Sequence, residues 1–440
     1  MQLSKKIYRL AFPTILGFFG LTAFEIADIF WIGKIGPKAV AAIAASSFIE
    51  WILYAIMCLS GTGTSTLVAQ FYGAGKKKEV FDVGREALHL SLVVSLMVVV
   101  ILLVAISSIF NFMGLDVETH SYAMKYFRIL ILGFPVLYIF SLQGLIFNAH
   151  GDTKTSTLTM LLAIFLNIIL DPFFIFGWWG FPKLGVMGAS IASILSTIIG
   201  MGLRTYLIRK KDFAAPFREL FITSRNYTME LLRIGTPAAI NNAVWSFSFP
   251  LLATLITKFG MEPLAGLNIG NRIEGIPYFI SVGFGIAVST MVGQSFGRGN
   301  KPEVNRILKR GLAMITLILT PISLLFIFIP EDLIALLNTD PEVIKHGASY
   351  LRIIGYFEIF LGWELVIEGA FNGLGNTRPY MLIRVPLTLA RIPLAYLFAF
   401  KFGYGINGIW WAITLSTFTK AIVLLVAFKA NRKNQELLSV

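Results

Sequence analysis

Asp28 and Asp171 are the residues of this sequence best placed to do chemistry. Asp28 stands in Ala27-Asp-Ile-Phe-Trp-Ile-Gly33 and Asp171 in Asn167-Ile-Ile-Leu-Asp171-Pro172, each inside an otherwise apolar run. Asn167 lies one helical turn before Asp171 and shares its face. Two carboxylates, an amide oxygen and the Ser193 hydroxyl at one depth would make an all-oxygen cluster suited to a hard cation such as Na+, or to a shared proton. The competing reading is that the two aspartates face different grooves and each bonds backbone or water. Glu25, one turn before Asp28, either lines the same site or approaches the outer interface. A second group stands late in the chain, where Glu364 and Glu368 share one helical face and Arg384 and Arg391 lie two turns apart. Pairing into an ion-pair network is the expected arrangement, and a path for cations past the glutamates is the alternative. The single Cys58 and the scattered His89, His120, His150 and His346 give no thiolate or histidine metal site.

The elements that must hold these residues follow from composition. With 440 residues, 56 % hydrophobic, 14 % charged, the chain is too apolar for a soluble enzyme. Apolar stretches of about 20 residues, the length that crosses a ~30 Å hydrocarbon core, fall at 11–33, 43–70, 87–112, 126–149, 158–178, 187–208, 234–257, 267–294, 310–330, 350–372, 382–402 and 407–428. This predicts twelve transmembrane helices. The runs are too continuous for the dyad alternation of a β-barrel, and the basic start followed by a spanning-length run without a small-residue cleavage site argues against a cleavable signal peptide. The formal charge of +13 concentrates in alternate loops. Lys5, Lys6 and Arg9, the run Lys76–Lys78, the stretch Arg204 to Arg233 including Arg218 and Arg225, and Arg298 to Arg310 all fall on the side of the N-terminus. Excess Lys and Arg marks the cytoplasmic side, so both termini are expected there. The basic excess then serves topology and not nucleic acid. Asp28 and Asp171 each come out roughly 8–9 Å inside an outer helix end, at about 1.5 Å per residue.

The chain also repeats itself. Arg9 to Arg85 aligns without a gap on Arg233 to Lys309 at an offset of 224, pairing Pro13 with Pro237, Glu50 with Glu274 and Gly61 with Gly285. The match persists through Asp116/Asp340, Arg128/Arg352 and Phe147-Asn148/Phe371-Asn372, and slips by four at Gly188/Gly408. The expected fold is therefore all-α integral membrane, two homologous six-helix bundles in parallel: an N-lobe over 1–208, a cytoplasmic connector over 209–232 and a C-lobe over 233–440. Such halves suit a rocking secondary transporter with a site at mid-membrane. The repeat separates scaffold from chemistry. Glu50 and Glu274 are equivalent, which favours a structural hydrogen bond or ion pair, with Arg272 a possible partner for Glu274; Asp28 and Asp171 correspond at the same offset to Leu252 and Ala395 and are special to one half. The Gly73-Ala-Gly-Lys76 run lacks the phosphate-loop pattern, is matched by Gly297-Arg-Gly-Asn300 and reads as a cytoplasmic turn.

Leu10-Ala-Phe-Pro13, the Asp28 run, Gly36-Pro-Lys-Ala-Val-Ala41, Asn167-Ile-Ile-Leu-Asp171-Pro172 and Gly185-Val-Met-Gly-Ala-Ser190 together resemble the multidrug and toxic compound extrusion family, over nearly the whole chain. The resemblance implies a multi-pass inner or plasma membrane antiporter, monomeric and without cofactor, exporting cationic or amphipathic small molecules against inward Na+ or H+. It places Asp28, Asn167 and Asp171 at the N-lobe cation site, with Ser193 where a threonine is common, and makes Pro13 a point where the first helix bends. The seventh-helix Glu and tenth-helix Asp of the Na+-coupled branch fall near Ser246 and Leu361, so the closer resemblance is to the DNA-damage-inducible and archaeal branch. Two other functions remain on sequence grounds: a flippase of lipids or lipid-linked saccharides in the same superfamily, and a membrane-embedded transferase, for which D-D-x-x-D and H-x-x-x-D motifs are missing.

Overall fold

The computed structural model describes residues 2–211, 213 and 226–437, with side chains as far as 430. Arg218 and Arg225, and with them most of the expected connector, lie outside the described residues. All regular structure among the described residues is helical: α1 (Gln2–Gly33), α2 (Pro37–Gly73), α3 (Lys77–Phe112), α4 (Val117–Ala149), α5 (Thr153–Phe176), α6 (Val186–Lys211), α7 (Thr228–Ile256), α8 (Met261–Gly297), α9 (Lys301–Phe328), α10 (Pro330–Ala335), α11 (Pro341–Gly355), α12 (Glu358–Leu374), α13 (Thr377–Tyr396) and α14 (Ile406–Leu437). Eleven helices among the described residues are long and apolar enough to cross a membrane. The remaining crossing, the tenth in chain order, is divided into α11 and α12, of 15 and 17 residues. At the repeat offset this pair is the counterpart of the continuous α4, so the break is a departure of one half from the other. The fold is the twelve-span all-helical membrane architecture expected.

Helices dominate because a chain in hydrocarbon must satisfy its backbone internally. Their starts show the repeat at atomic level. The Asp116 side chain accepts from Glu118 N at 3.1 Å and Thr119 N at 3.3 Å, and its equivalent Asp340 accepts from Glu342 N at 2.9 Å and Val343 N at 3.3 Å. Both occupy the N-cap position, where a carboxylate satisfies amides that the first turn leaves open. α2 and α8 each run 37 residues, about 55 Å at 1.5 Å per residue, so they extend beyond the hydrocarbon or cross it tilted.

The chain falls into two compact units, Pro13–Thr236 and Met1–Phe12 with Pro237–Val440. The boundaries are the two repeat-equivalent prolines, both inside helices. The start of α7 therefore belongs with the first unit and the start of α1 with the second, so the units differ from lobes cut at 208 and 233. Within the first unit, Gly235 of α7 lies so near α2 that a Cβ there would sit 1.7 Å from the Leu59 carbonyl oxygen. Phe110, Phe127, Phe134 and Tyr138 fill that unit's core, and Trp410, Tyr350, Leu351 and Phe326 that of the other.

One base assigned to a cytoplasmic loop is placed differently. Arg204 is 3 % exposed. Its Nε donates to Thr159 Oγ1 and its Nη2 to the Ser156 carbonyl, both at 2.7 Å, and it lies 3.7 Å from the centre of the Phe140 ring. It ties α4, α5 and α6 together instead of marking the membrane side.

Candidate functional site

In the first unit α5 and α6 pack along one another, which brings Asn167 to Ser193. The Asn167 amide is placed by its hydrogen bonds. With its oxygen towards Ser193 it accepts from Ser193 N at 2.9 Å and Oγ at 3.1 Å, and it donates to Asp171 Oδ2 at 3.2 Å. Asn167 and Asp171 are 2 % and 0 % exposed, and Ser193 is half-buried. Pro172 sits inside α5 directly after Asp171. A proline has no amide hydrogen for the carbonyl four residues earlier, so the Ile168 oxygen, one turn above Asp171, is released from the helical ladder.

Asp28 on α1 is buried, and its Oδ1 has no hydrogen-bond partner among the described residues. Its charge reaches Asp171. The four expected residues Asp28, Asn167, Asp171 and Ser193 thus come from α1, α5 and α6 of one unit. Glu50 on α2 stands in range of the charges of Asp28 and Glu25, and its Oε1 is buried without a hydrogen-bond partner. A structural hydrogen bond at that oxygen is not what the structure shows. Glu25 is exposed. Tyr126, buried on α4, is reached by the charges of Glu50, Asp28 and Asp171 and is a member of the cluster that sequence reasoning missed. A tyrosine between Lys125 and Arg128 gives no signal until the carboxylates around it are located. Among the described residues no three His, Cys, Asp or Glu side chains gather as a metal site, so the set is one of oxygens around two to three separated carboxylates.

The second unit pairs its charges. Arg384 Nε lies 2.7 Å from Glu364 Oε1 and its Nη1 2.7 Å from Glu368 Oε2. Lys420 Nζ on α14 lies 3.1 Å from the same Glu364 oxygen. Arg384 also donates to the Tyr380 hydroxyl, which Asn241 reaches at 2.9 Å. This is the expected ion-pair network, with Lys420, Tyr380 and Asn241 as members the sequence did not mark. A lysine within the apolar stretch 407–428 was the available signal. Arg391 takes other partners, Ser416 Oγ at 2.9 Å and Thr417 Oγ1 at 3.4 Å. Arg272, offered as a partner for Glu274, is exposed two residues along the same helix, while Glu274 is in hydrogen-bond contact with the Tyr350 hydroxyl.

The MatE family model matches residues 13–173 and 237–397, twice over at the repeat offset. A protein named as a probable multidrug resistance protein NorM from Thermotoga maritima is 29 % identical over 435 residues, 98 % of this chain and 93 % of its own length. A protein named as an FAD transporter from Shewanella oneidensis is 24 % identical over 428 residues, 96 % of this chain and 93 % of that one. A crystal structure of MATE in the bent conformation superposes with a TM-score of 0.92 at 23 % identity, covering 100 % of this chain and 97 % of the other.

Proposed function

Because the chain belongs to the MatE family, and so is a multi-pass membrane transporter and not an enzyme, we propose that it is a secondary antiporter. In this reading it exports cationic or amphipathic small molecules in exchange for inward Na+ or H+, and Asp28, Asn167, Asp171 and Ser193 hold the coupling ion. The observation that carries the reading is the buried pair Asp28 and Asp171, within each other's electrostatic reach in one unit of a duplicated chain. Relatives named as probable multidrug resistance proteins support small-molecule export.

The chemistry follows from charge. Two carboxylates in an apolar surrounding repel each other, and an entering monovalent cation or proton removes that cost. Asn167 offers Asp171 a donor hydrogen, and Ser193 fixes the amide that does so. Loading the site changes the charge beside α1, and Pro13 gives that helix a point where its internal ladder is already interrupted. Emptying it leaves a negative site for a cationic substrate. Each inward charge at about 100 mV contributes about 2.3 kcal/mol, equivalent to roughly a 50-fold concentration ratio.

The test is transport by purified protein in liposomes, with Na+ and pH gradients imposed separately. Asp28→Asn is expected to lose gradient-driven export under whichever ion drives the wild type. Export by that variant at the native rate would overturn the assignment.

A further inference from the structure

The two halves share more than a scaffold glutamate. At the offset of 224, Glu50 and Tyr126 correspond to Glu274 and Tyr350, and in each half the tyrosine lies in range of its glutamate's charge. What surrounds the pair differs. Asp28 and Asp171 complete it in the first unit, and Glu358 and Arg391 in the second. Position 358 corresponds to Phe134, and it is where the crossing breaks: α11 ends at Gly355 and α12 begins at Glu358. Ser323 of α9 donates to the Gly355 carbonyl at 2.9 Å and so satisfies an oxygen the break releases. Glu358 is 2 % exposed, and its Oε1 has no hydrogen-bond partner among the described residues.

The hydrogens around Tyr350 do not suffice if every carboxyl is ionised. The Tyr350 oxygen is 2.8 Å from Asn271 Oδ1 and also in contact with Glu274 Oε2. A phenol carries one hydrogen. A proton on Glu274 lets its O–H donate to the Tyr350 oxygen while Tyr350 donates to Asn271. Turning the Asn271 amide would supply a hydrogen too, but it leaves the charge unchanged, and charge is the second shortfall. Glu364 and Glu368 are matched by Arg384 and Lys420. Arg391 reaches Glu274 from α13, and the charge that acts on Glu358 is that of Glu274. The other charges around the group are Glu364 on α12, Arg384 on α13 and Lys420 on α14; α9 contributes Ser323 and Thr316, and Arg352 of α11 turns away to Glu331. Taken together, Glu274, Glu358, Glu364 and Glu368 meet three cations, Arg384, Arg391 and Lys420, which leaves one uncompensated negative charge beside the buried Glu358, a state interiors avoid.

We propose that Glu274, Glu358 and Tyr350 form a second proton-binding site, in the C-terminal half, loaded with one proton held on Glu274. Glu274 is half-buried and exchanges the proton, whereas Glu358 supplies the buried negative charge that retains it. The site is separate from Asp28 and Asp171 and stands whether or not those residues couple transport.

Infrared difference spectroscopy on the full-length protein in lipid nanodiscs, stepped through pH, tests this directly. The wild type is expected to show a protonated-carboxyl C=O band that Glu274→Gln removes and Asp28→Asn leaves in place. Glu358→Gln is expected to weaken proton binding at Glu274 about tenfold, since a neighbouring negative charge is gone. Tyr350→Phe keeps the ring against Trp410 and shifts the band frequency through the lost phenol contact, so the assignment stays testable should Glu274→Gln fold poorly. A spectrum in which neither Glu274→Gln nor Tyr350→Phe alters any carboxyl band would overturn the proposal, as would a band lost only in Asp28→Asn.

Discussion

Removing the Glu364 charge is the sharpest perturbation of the second unit, because that carboxylate is 1 % exposed and serves two cations. In Glu364→Gln, Arg384 keeps Glu368 at 2.7 Å. Lys420, 3 % exposed, keeps no carboxylate and must either stay charged in an apolar interior or give up its proton. The second course bounds the penalty. Neutralising an ordinary lysine of pKa about 10.4 at pH 7 costs about 4.6 kcal/mol, at 1.36 kcal/mol per pH unit. That agrees with the roughly 3–5 kcal/mol lost when one partner of a buried pair is removed. Lys420→Met leaves Glu364 still paired with Arg384 and should cost less, about 1–3 kcal/mol. The double variant removes both charges together and should recover most of the Glu364→Gln loss, giving a coupling of at least 2 kcal/mol. The assay is reversible unfolding in mixed detergent micelles. A double variant whose loss equals the sum of the two singles would refute the pairing.

Other sites give further expectations. Arg204→Lys should destabilise the first unit by about 2–4 kcal/mol in the same unfolding assay, because an ammonium cannot reproduce the bonds to Thr159 and Ser156 and the contact with Phe140 at once. Gly235→Ala should lower the yield of monodisperse protein on size exclusion and cost at least about 2 kcal/mol, since its Cβ meets backbone, whereas Gly202→Ala, with nothing within 4 Å, should be neutral or stabilising. Asp152 caps α5 through Thr155 N at 3.1 Å and pairs with Lys211. Burial raises its pKa, but the Lys211 and Thr155 contacts outweigh that and hold it below the ordinary value. A depressed carboxyl stabilises above its unfolded pKa of about 3.9 and loses that stability as pH falls through the folded value. Asp152→Asn should therefore cost about 1 kcal/mol at pH 7, after allowing for solvent screening, and the difference from wild type should close in melts taken below about pH 4.

Most of the architecture was legible because membrane insertion and duplication both leave linear traces. An apolar run of about 20 residues has one economical conformation in hydrocarbon, the helix, and the offset of 224 survives wherever both halves need the same residue, as at the caps Asp116 and Asp340. The tenth crossing misled only in its continuity. The interruption at Tyr356–Phe357 stands between Gly355 and Glu358, and a glycine and a glutamate in a spanning run do not by themselves mark a break. Asp28, Asn167 and Asp171 could be singled out because charge and amide in a spanning run are costly and the other half lacks them.

The sequence by itself determined the class of protein, the number of its crossings, its duplication and the few residues whose presence in hydrocarbon needs a reason. All of these depend on composition and spacing along one dimension. Only the tertiary structure decided which polar groups meet. It drew Lys420 to Glu364 and Tyr350 to Glu274, took Arg204 out of the topological tally, and left Glu50, Asp28 and Glu358 with unpartnered oxygens. A partner is fixed by packing angle and depth between helices distant in sequence, and two lysines written alike in the chain differ in kind once one is enclosed and the other is wet.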